Sequence, residues 1–424
     1  MSSALVSTSI FIGVITTFIL YALTLVVIWV YKKKIIVILK KIYNQKVPYQ
    51  LYNLGRNKKG IEAFSTLNSY TPDIVFYFSA SSSSFLIHIK MWLPYLEKTN
   101  LKIYIMVREY QHIKPLKVIT NIPICFASSL RDIETFLPES VKLAFYANNG
   151  TKNTHLIRFN QLKHIQLLHG DSEKPSSYNP VSKMYDKLYV SGQRAIDRYT
   201  DNNVCIDKNV FEIIGRPQLS ELKIGKQDSE LLRTVLIAPT WGGYFEDTNF
   251  SSLFQIYEIV EYFFSQEEDI RVIIRLHPST NRNDKKVDGY LMRLEALIFE
   301  KNNGSFFSYD RDIIEDFNIS NCILSDISSM PIDYLYTEKP IVHLNIKNIF
   351  STPEKTTYAK YINAVYILDK NLSNIKSIFD DVFYKDTLED LRKNIKYYYH
   401  GKFEKPLVDK FVEVVLNDFV QKKY

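Results

Sequence analysis

From about Thr71 onward the chain alternates short apolar runs with stretches of helical spacing, and this alternation does most to limit the possible folds. Ile74 to Ser79, Leu101 to Val107, Ile122 to Phe126, Val141 to Tyr146 and Ile165 to Leu168 form a first series of strand-like runs. Val235 to Ala238, Val272 to Leu276, Cys322 to Leu324 and Ile341 to Leu344 form a second. Phe85 to Leu96, Leu253 to Phe264 and Tyr290 to Phe299 have helical spacing. Continuous apolar runs joined by helices predict parallel sheets covered on both faces. The polar stretch Ser220 to Arg233 reads as a hinge between the two series. In the tail, Leu407, Val408, Phe411, Val412, Val415, Leu416 and Phe419 share one helical face, which is expected to pack back across the domains. The expected organisation is an N-terminal Rossmann-like domain over 70–220, a second over 221–385, and C-terminal helices over 386–424. Two such domains facing a cleft describe the GT-B architecture.

The first 69 residues differ from this body. Ala4 to Tyr31 is a 28-residue stretch without charge, where about 20 apolar residues suffice to cross a bilayer. Nothing basic precedes it and Lys32, Lys33 and Lys34 follow it, so 1–31 reads as a retained transmembrane anchor rather than a cleaved signal peptide. The same asymmetry predicts a single pass with the remainder in the cytoplasm. Residues 32–69 continue as a basic juxtamembrane segment, read either as lying against anionic headgroups or simply as a stop-transfer flank. Residues 1–61 hold nine Lys and Arg and no acid, out of 53 basic and 46 acidic residues in all. Taking nine from 53 leaves 44 basic against 46 acidic in the body, so the net charge of +7 argues for a membrane partner and against nucleic acid. Three dispersed cysteines exclude a disulfide framework and a cysteine-rich zinc site.

Ligands of parallel sheets bind beyond the carboxyl ends of the strands, so the residues just after each run are the candidates for chemistry. His169-Gly170-Asp171-Ser172-Glu173-Lys174 closes the first series. His169 has the near-neutral titration of a general base, and equally reads as a capping or core histidine. Ala238-Pro239-Thr240-Trp241 leaves the first strand of the second series and Arg275-Leu276-His277-Pro278 leaves the next. Arg275 suits a diphosphate, and equally an internal ion pair. Ser325-Asp326-Ile327-Ser328-Ser329 precedes a helix, where Ser328 or Ser329 can cap the helix or meet a phosphate. No P-loop, nucleophile elbow, HExxH or GxGxxG occurs.

Together with Gly215-Arg216-Pro217, these motifs resemble, in order and over roughly residues 70 to 400, the CDP-glycerol glycerophosphotransferase family of teichoic acid synthesis. The resemblance implies a GT-B enzyme that transfers glycerol phosphate, or a related polyol phosphate, from a CDP-linked donor to a hydroxyl of a lipid-linked acceptor. CMP would leave, and the product would be a teichoic-acid-like or capsular cell-surface polymer. It implies catalytic roles for His169 and His277. Donor contacts would fall to Arg275, Thr240, Trp241, Arg216, Ser325, Asp326, Ser328 and Ser329. Gly170, Asp171, Ser172 and Lys174 would lie on the acceptor side. No cofactor is expected to be required and no metal ligands are named. A nucleotide-sugar glycosyltransferase of the same fold is the alternative, separable by donor choice. A non-catalytic scaffold on the same fold would have lost these site residues.

Overall fold

The computed structural model describes residues 70–225, 232–242, 249–280, 284–309, 311–346 and 359–421. The expected anchor and basic segment lie outside the described residues. Among those described, no helix is long and apolar enough to cross a membrane.

Two parallel sheets carry the chain. The first contains β1 (Ile74–Phe78), β2 (Ile103–Val107), β3 (Ile124–Phe126), β4 (Leu143–Tyr146), β5 (Lys163–Gln166), β6 (Lys187–Val190) and β7 (Phe211–Ile213). Its spatial order is β3-β2-β1-β4-β5-β6-β7, with every described pairing parallel. The second contains β8 (Thr234–Ala238), β9 (Arg271–Ile274), β10 (Phe306–Phe307), β11 (Cys322–Ser325), β12 (Ile341–Asn345) and β13 (Tyr366–Asp369). Its order is β10-β9-β8-β11-β12-β13, again parallel. Both orders reverse direction beside the first strand of the sheet, at β1/β4 and at β8/β11. Such switch points open a crevice at the carboxyl edge.

Each of the nine apolar runs overlaps a strand, and five of these strands, β1, β2, β4, β8 and β11, are buried along their whole length. Four strands had no such run. β6 and β7 each include a charged residue (Lys187, Glu212), β13 ends on Asp369 and β10 is two residues long. The single helix expected over Phe85 to Leu96 is three short pieces, Ser83–Leu86, Ile87–Lys90 and Leu93–Glu97. Pro94 explains the last break, since it has no N–H to continue a helix and is tolerated only in a first turn.

The last two helices return to the first sheet. Helix Glu389–His400 lies so close to Gly192 that a Cβ there would stand 2.5 Å from the Tyr399 carbonyl oxygen. Helix Leu407–Val420 sends Phe411, Val414 and Val415 into the core formed by Trp92, Phe145 and Tyr189. The Phe411 ring lies 5.5 Å from that of Trp92 and 6.4 Å from that of Tyr189. Asp418 on the same helix accepts from Lys163 Nζ (2.9 Å) and Tyr189 Oη (2.6 Å). The final helix thus completes the first domain's core. Removing the Phe411 ring leaves a cavity that neighbours on two elements cannot fill. Phe411→Ala is therefore expected to lower the unfolding free energy by about 3–5 kcal/mol, measured by urea denaturation. A loss under about 1 kcal/mol would mean that the helix is an accessory.

Candidate active site

The turn that delivers His169 is built by strain and by two side chains. β5 ends at Gln166, and Leu168 takes φ +58, a left-handed conformation unusual for a branched residue. Gln166 Oε1 accepts from the Leu168 N–H (3.2 Å), and the Leu168 carbonyl accepts from Trp92 Nε1 (2.7 Å). The reversal brings His169 into the cavity lining beyond the sheet. The Ala147 carbonyl, just past β4, lies 2.9 Å from His169 Nδ1. A carbonyl only accepts, so Nδ1 carries the proton and Nε2 keeps its lone pair. Burial lowers the pKa of the ring, the Ala147 bond works against that, and Arg216 adds to it. His169 is thus neutral at pH 7 with a basic nitrogen available.

Beyond His169 the loop alternates. Gly170, Ser172 and Lys174 line the cavity, while Asp171 and Glu173 turn inward to Arg194 and Arg198 of helix Gln193–Asp201. Asp171 bonds Arg198 and accepts from Ser191 Oγ (2.6 Å). Burial alone would raise the Asp171 carboxyl, but Arg198 and Ser191 hold it below the usual range. Arg194 grips both Glu173 oxygens through Arg194 Nε (2.9 Å) and Nη2 (2.5 Å). Asp171 therefore braces the loop rather than facing the cavity.

The second domain supplies the opposite wall. His277 Nδ1 accepts from the Ser279 N–H (3.0 Å), which leaves its proton on Nε2 as a donor. Burial, then Lys174 and His169, push its pKa down to about 4. Trp241 stacks on it with centroids 6.1 Å apart. Thr240, Trp241, Arg275, Ser328 and Ser329 all line the same cavity, of about 240 Å³. Ser329 occupies the cap position of helix Met330–Tyr334 without making a side-chain cap bond. Across the cleft, Lys174 Nζ donates to Thr240 Oγ1 (2.9 Å). A Cβ on Gly170 would stand 3.0 Å from Ser329 Cβ, so only glycine lets the two walls approach this closely without a shift.

Three expected donor residues have other partners. Asp326 is buried, accepting from the Thr240 N–H (3.0 Å) and from Ser252 N and Oγ (both 2.8 Å). Burial raises its pKa to about 6 despite those bonds. Ser325 is buried and donates to the Ala238 carbonyl (2.5 Å). Both tie the β8 loop to β11. Arg216 lies outside this cavity's lining and pairs with Asp333 across the domains (2.9 Å). Arg275 is divided: it lines the cavity, yet its Nη1 donates to Asp316 Oδ2 (2.8 Å), the Arg311 carbonyl (3.0 Å) and Ser308 Oγ (3.1 Å). Asn149, Ser176, Ser177 and Met330 also line the cavity, and none was given a role from the sequence. Nor was His88, whose ring stacks on His169. Among the described residues no three His, Cys, Asp or Glu come together as a metal-holding group.

Burial holds His88 down to about 2, His343 to about 3 and His400 to about 4, alongside His277. Unfolding returns each to about 6.5, so below that pH the unfolded chain binds more protons. Their contribution is complete above pH 6.5 and is lost as pH falls toward the folded values. Asp326 acts oppositely between pH 6 and 3.8, and Asp333, also raised by burial, acts in the same sense, but the four histidines outnumber them. Melting temperature is expected to fall between pH 7.5 and 5; an unchanged value would contradict neutral burial.

The family model for CDP-glycerol:poly(glycerophosphate) glycerophosphotransferase matches residues 65–367, well over half the chain. The wall teichoic acid polymerase TagF has a similar fold, with TM-score 0.55 and 14% identity over 87% of this chain and 95% of that one. A variant of it has been captured with CDPG. A putative UDP-N-acetylglucosamine 2-epimerase from Listeria monocytogenes gives TM-score 0.54 and 12% identity over 82% and 97%. The Neisseria meningitidis UDP-GlcNAc 2-epimerase bound to UDP-GlcNAc gives 0.50 and 12% over 81% and 100%. No protein of curated function matches the sequence. These structures share the two-domain GT-B-like fold, and the family match extends over both sheets and every motif of the cavity: the chain belongs to the CDP-glycerol:poly(glycerophosphate) glycerophosphotransferase family and is a phosphotransferase of that kind.

Proposed function

We propose that the protein transfers glycerol phosphate, or a related polyol phosphate, from a CDP-linked donor to a hydroxyl of a lipid-linked acceptor in cell-surface polymer synthesis. The observation that carries this reading is the pairing of opposite tautomers across one cavity. His169 offers a bare Nε2 from the first domain, and His277 offers Nε2–H from the second.

The acceptor hydroxyl gives its proton to His169 Nε2 while its oxygen bonds the phosphorus that carries the glycerol. The bond from that phosphorus to the bridging oxygen breaks, and CMP departs with the oxygen and the electron pair. Phosphoryl transfer asks mainly for positioning and charge stabilisation. His277 Nε2–H and the Ser328 and Ser329 hydroxyls supply donors to the leaving phosphate. Lys174 supplies a cation. Burial lowers its pKa and Asp326 partly restores it, and the oxygen it meets in the cleft is the neutral Thr240 hydroxyl. We therefore move Lys174 to the donor phosphates. Arg275, with Nη1 held by Asp316, shapes that wall and adds its remaining charge.

The acceptor is membrane-borne in this reading. The uncharged stretch 4–31 would hold the enzyme to the bilayer, with both sheets on the cytoplasmic side, where nucleotide donors are made.

CMP release from CDP-glycerol is the direct assay. His169→Ala is expected to lose about 10²–10⁴-fold in kcat, the usual worth of a general base. His277→Ala is expected to lose comparably, with melting temperature near wild type in both. Wild-type turnover in both variants would remove the site assignment. A donor panel that responds only to UDP-sugars would favour the glycosyltransferase reading. Deleting residues 1–31 is expected to shift the protein from the membrane fraction, and continued sedimentation with membranes would refute the anchor.

A further inference from the structure

His88 follows β1, the central strand of the first sheet, on the short helix Ile87–Lys90. No motif contains it, and it is not among the residues lining the cavity. Its ring nevertheless lies flat on that of His169, with centroids 4.0 Å apart and planes 11° from parallel. Phe85 braces it in turn at 5.5 Å. Its Nδ1 is buried without a hydrogen-bond partner. Phenylalanine or leucine would fill this position without stranding a polar atom.

The geometry explains what the ring does there. The bond from His169 Nδ1–H to Ala147 fixes the tautomer, but one hydrogen bond leaves the imidazole free to tilt about its own axis. A flat partner at van der Waals distance removes that freedom. We infer that His88 is a positioning residue for the transfer reaction, its ring holding His169 so that Nε2 stays aimed at the acceptor hydroxyl. This rests on the reading of His169 as the base.

The surroundings fit the role. The groups acting electrostatically on the pair are His277, on His88, and Arg216, on His169, while Lys174 acts on His277. Each is cationic or can become so, and each opposes protonation of the stack. Two stacked imidazolium ions would repel at 4.0 Å, so the rings cannot both be charged, and burial keeps each neutral to lower pH than a free histidine.

The test is CMP release against pH for the full-length chain, with CDP-glycerol as donor and a short glycerol-phosphate oligomer on an alkyl lipid as acceptor. His88→Phe keeps a flat ring and is expected to retain kcat within about threefold. His88→Ala is expected to lose about 10²-fold in kcat, the scale of a 1 Å misplacement, with donor KM little changed. Its acid limb is expected to move up toward the ordinary histidine value near 6.5. If the alanine variant does not fold, His88→Leu, which keeps volume but not the flat face, takes its place. Wild-type kcat and pH profile in His88→Ala, or equal loss in the phenylalanine and alanine variants, would overturn the proposal. His169→Ala in the same assay separates the two ideas. If it stays active, the base reading fails; if it alone is inactive, only the role of His88 fails.

Discussion

The cleft depends on four charges hidden beneath it. Asp171 and Glu173 reach back from the loop after β5 to Arg194 and Arg198, and all four side chains are buried or nearly so. Removing one member of such a cluster leaves an uncompensated buried charge and costs about 3–5 kcal/mol. The loop cannot turn over without paying that cost. Its other residues, Gly170, Ser172 and Lys174, are therefore held toward the cavity. Glu173 also accepts from Tyr399 Oη (3.5 Å), linking the brace to helix Glu389–His400. An irregular segment thus gains the rigidity of a strand without being one.

Neither domain holds a complete site. The first contributes the bare nitrogen of His169 and the cation of Lys174, the second the N–H of His277 and the serine hydroxyls. Arg216–Asp333 and Lys174–Thr240 join the walls, and the missing Cβ of Gly170 lets them meet. Burial discourages charge on both histidines that line the cavity, so at neutral pH His169 presents a lone pair and His277 an N–H rather than fixed cations.

The sequence carried the strands whose two faces are buried, because such strands must be apolar throughout. It missed β6, β7, β10 and β13: Lys187 and Asp369 sit at strand ends, Glu212 is the middle of a three-residue strand, and β10 is only two residues long. The motifs after the strands were legible because position along a parallel sheet fixes which end faces a ligand. What local sequence could not distinguish was the direction of each side chain. Asp171 and Ser172 are neighbours with opposite fates, decided by arginines on a later helix. Asp326 clamps two loops because Ser252, far off in sequence, donates to it. Arg275 meets Asp316, which nothing beside it announced. His88 lies on a helix rather than at a strand end, and only the folded sheet brings it against His169.

The final helix has a consequence for how the molecule is made. Phe411, Val414 and Val415 are core residues of a sheet whose last strand ends at Ile213. On a ribosome, that sheet emerges long before the residues that seal it, and the whole second domain is synthesised in between. The first domain must wait with Trp92 and Tyr189 uncovered, and Trp92 also holds the turn before His169. The cleft therefore cannot take its working shape until that helix has been made and packed. A chain truncated before this helix is therefore expected to be a folding failure rather than a slower enzyme.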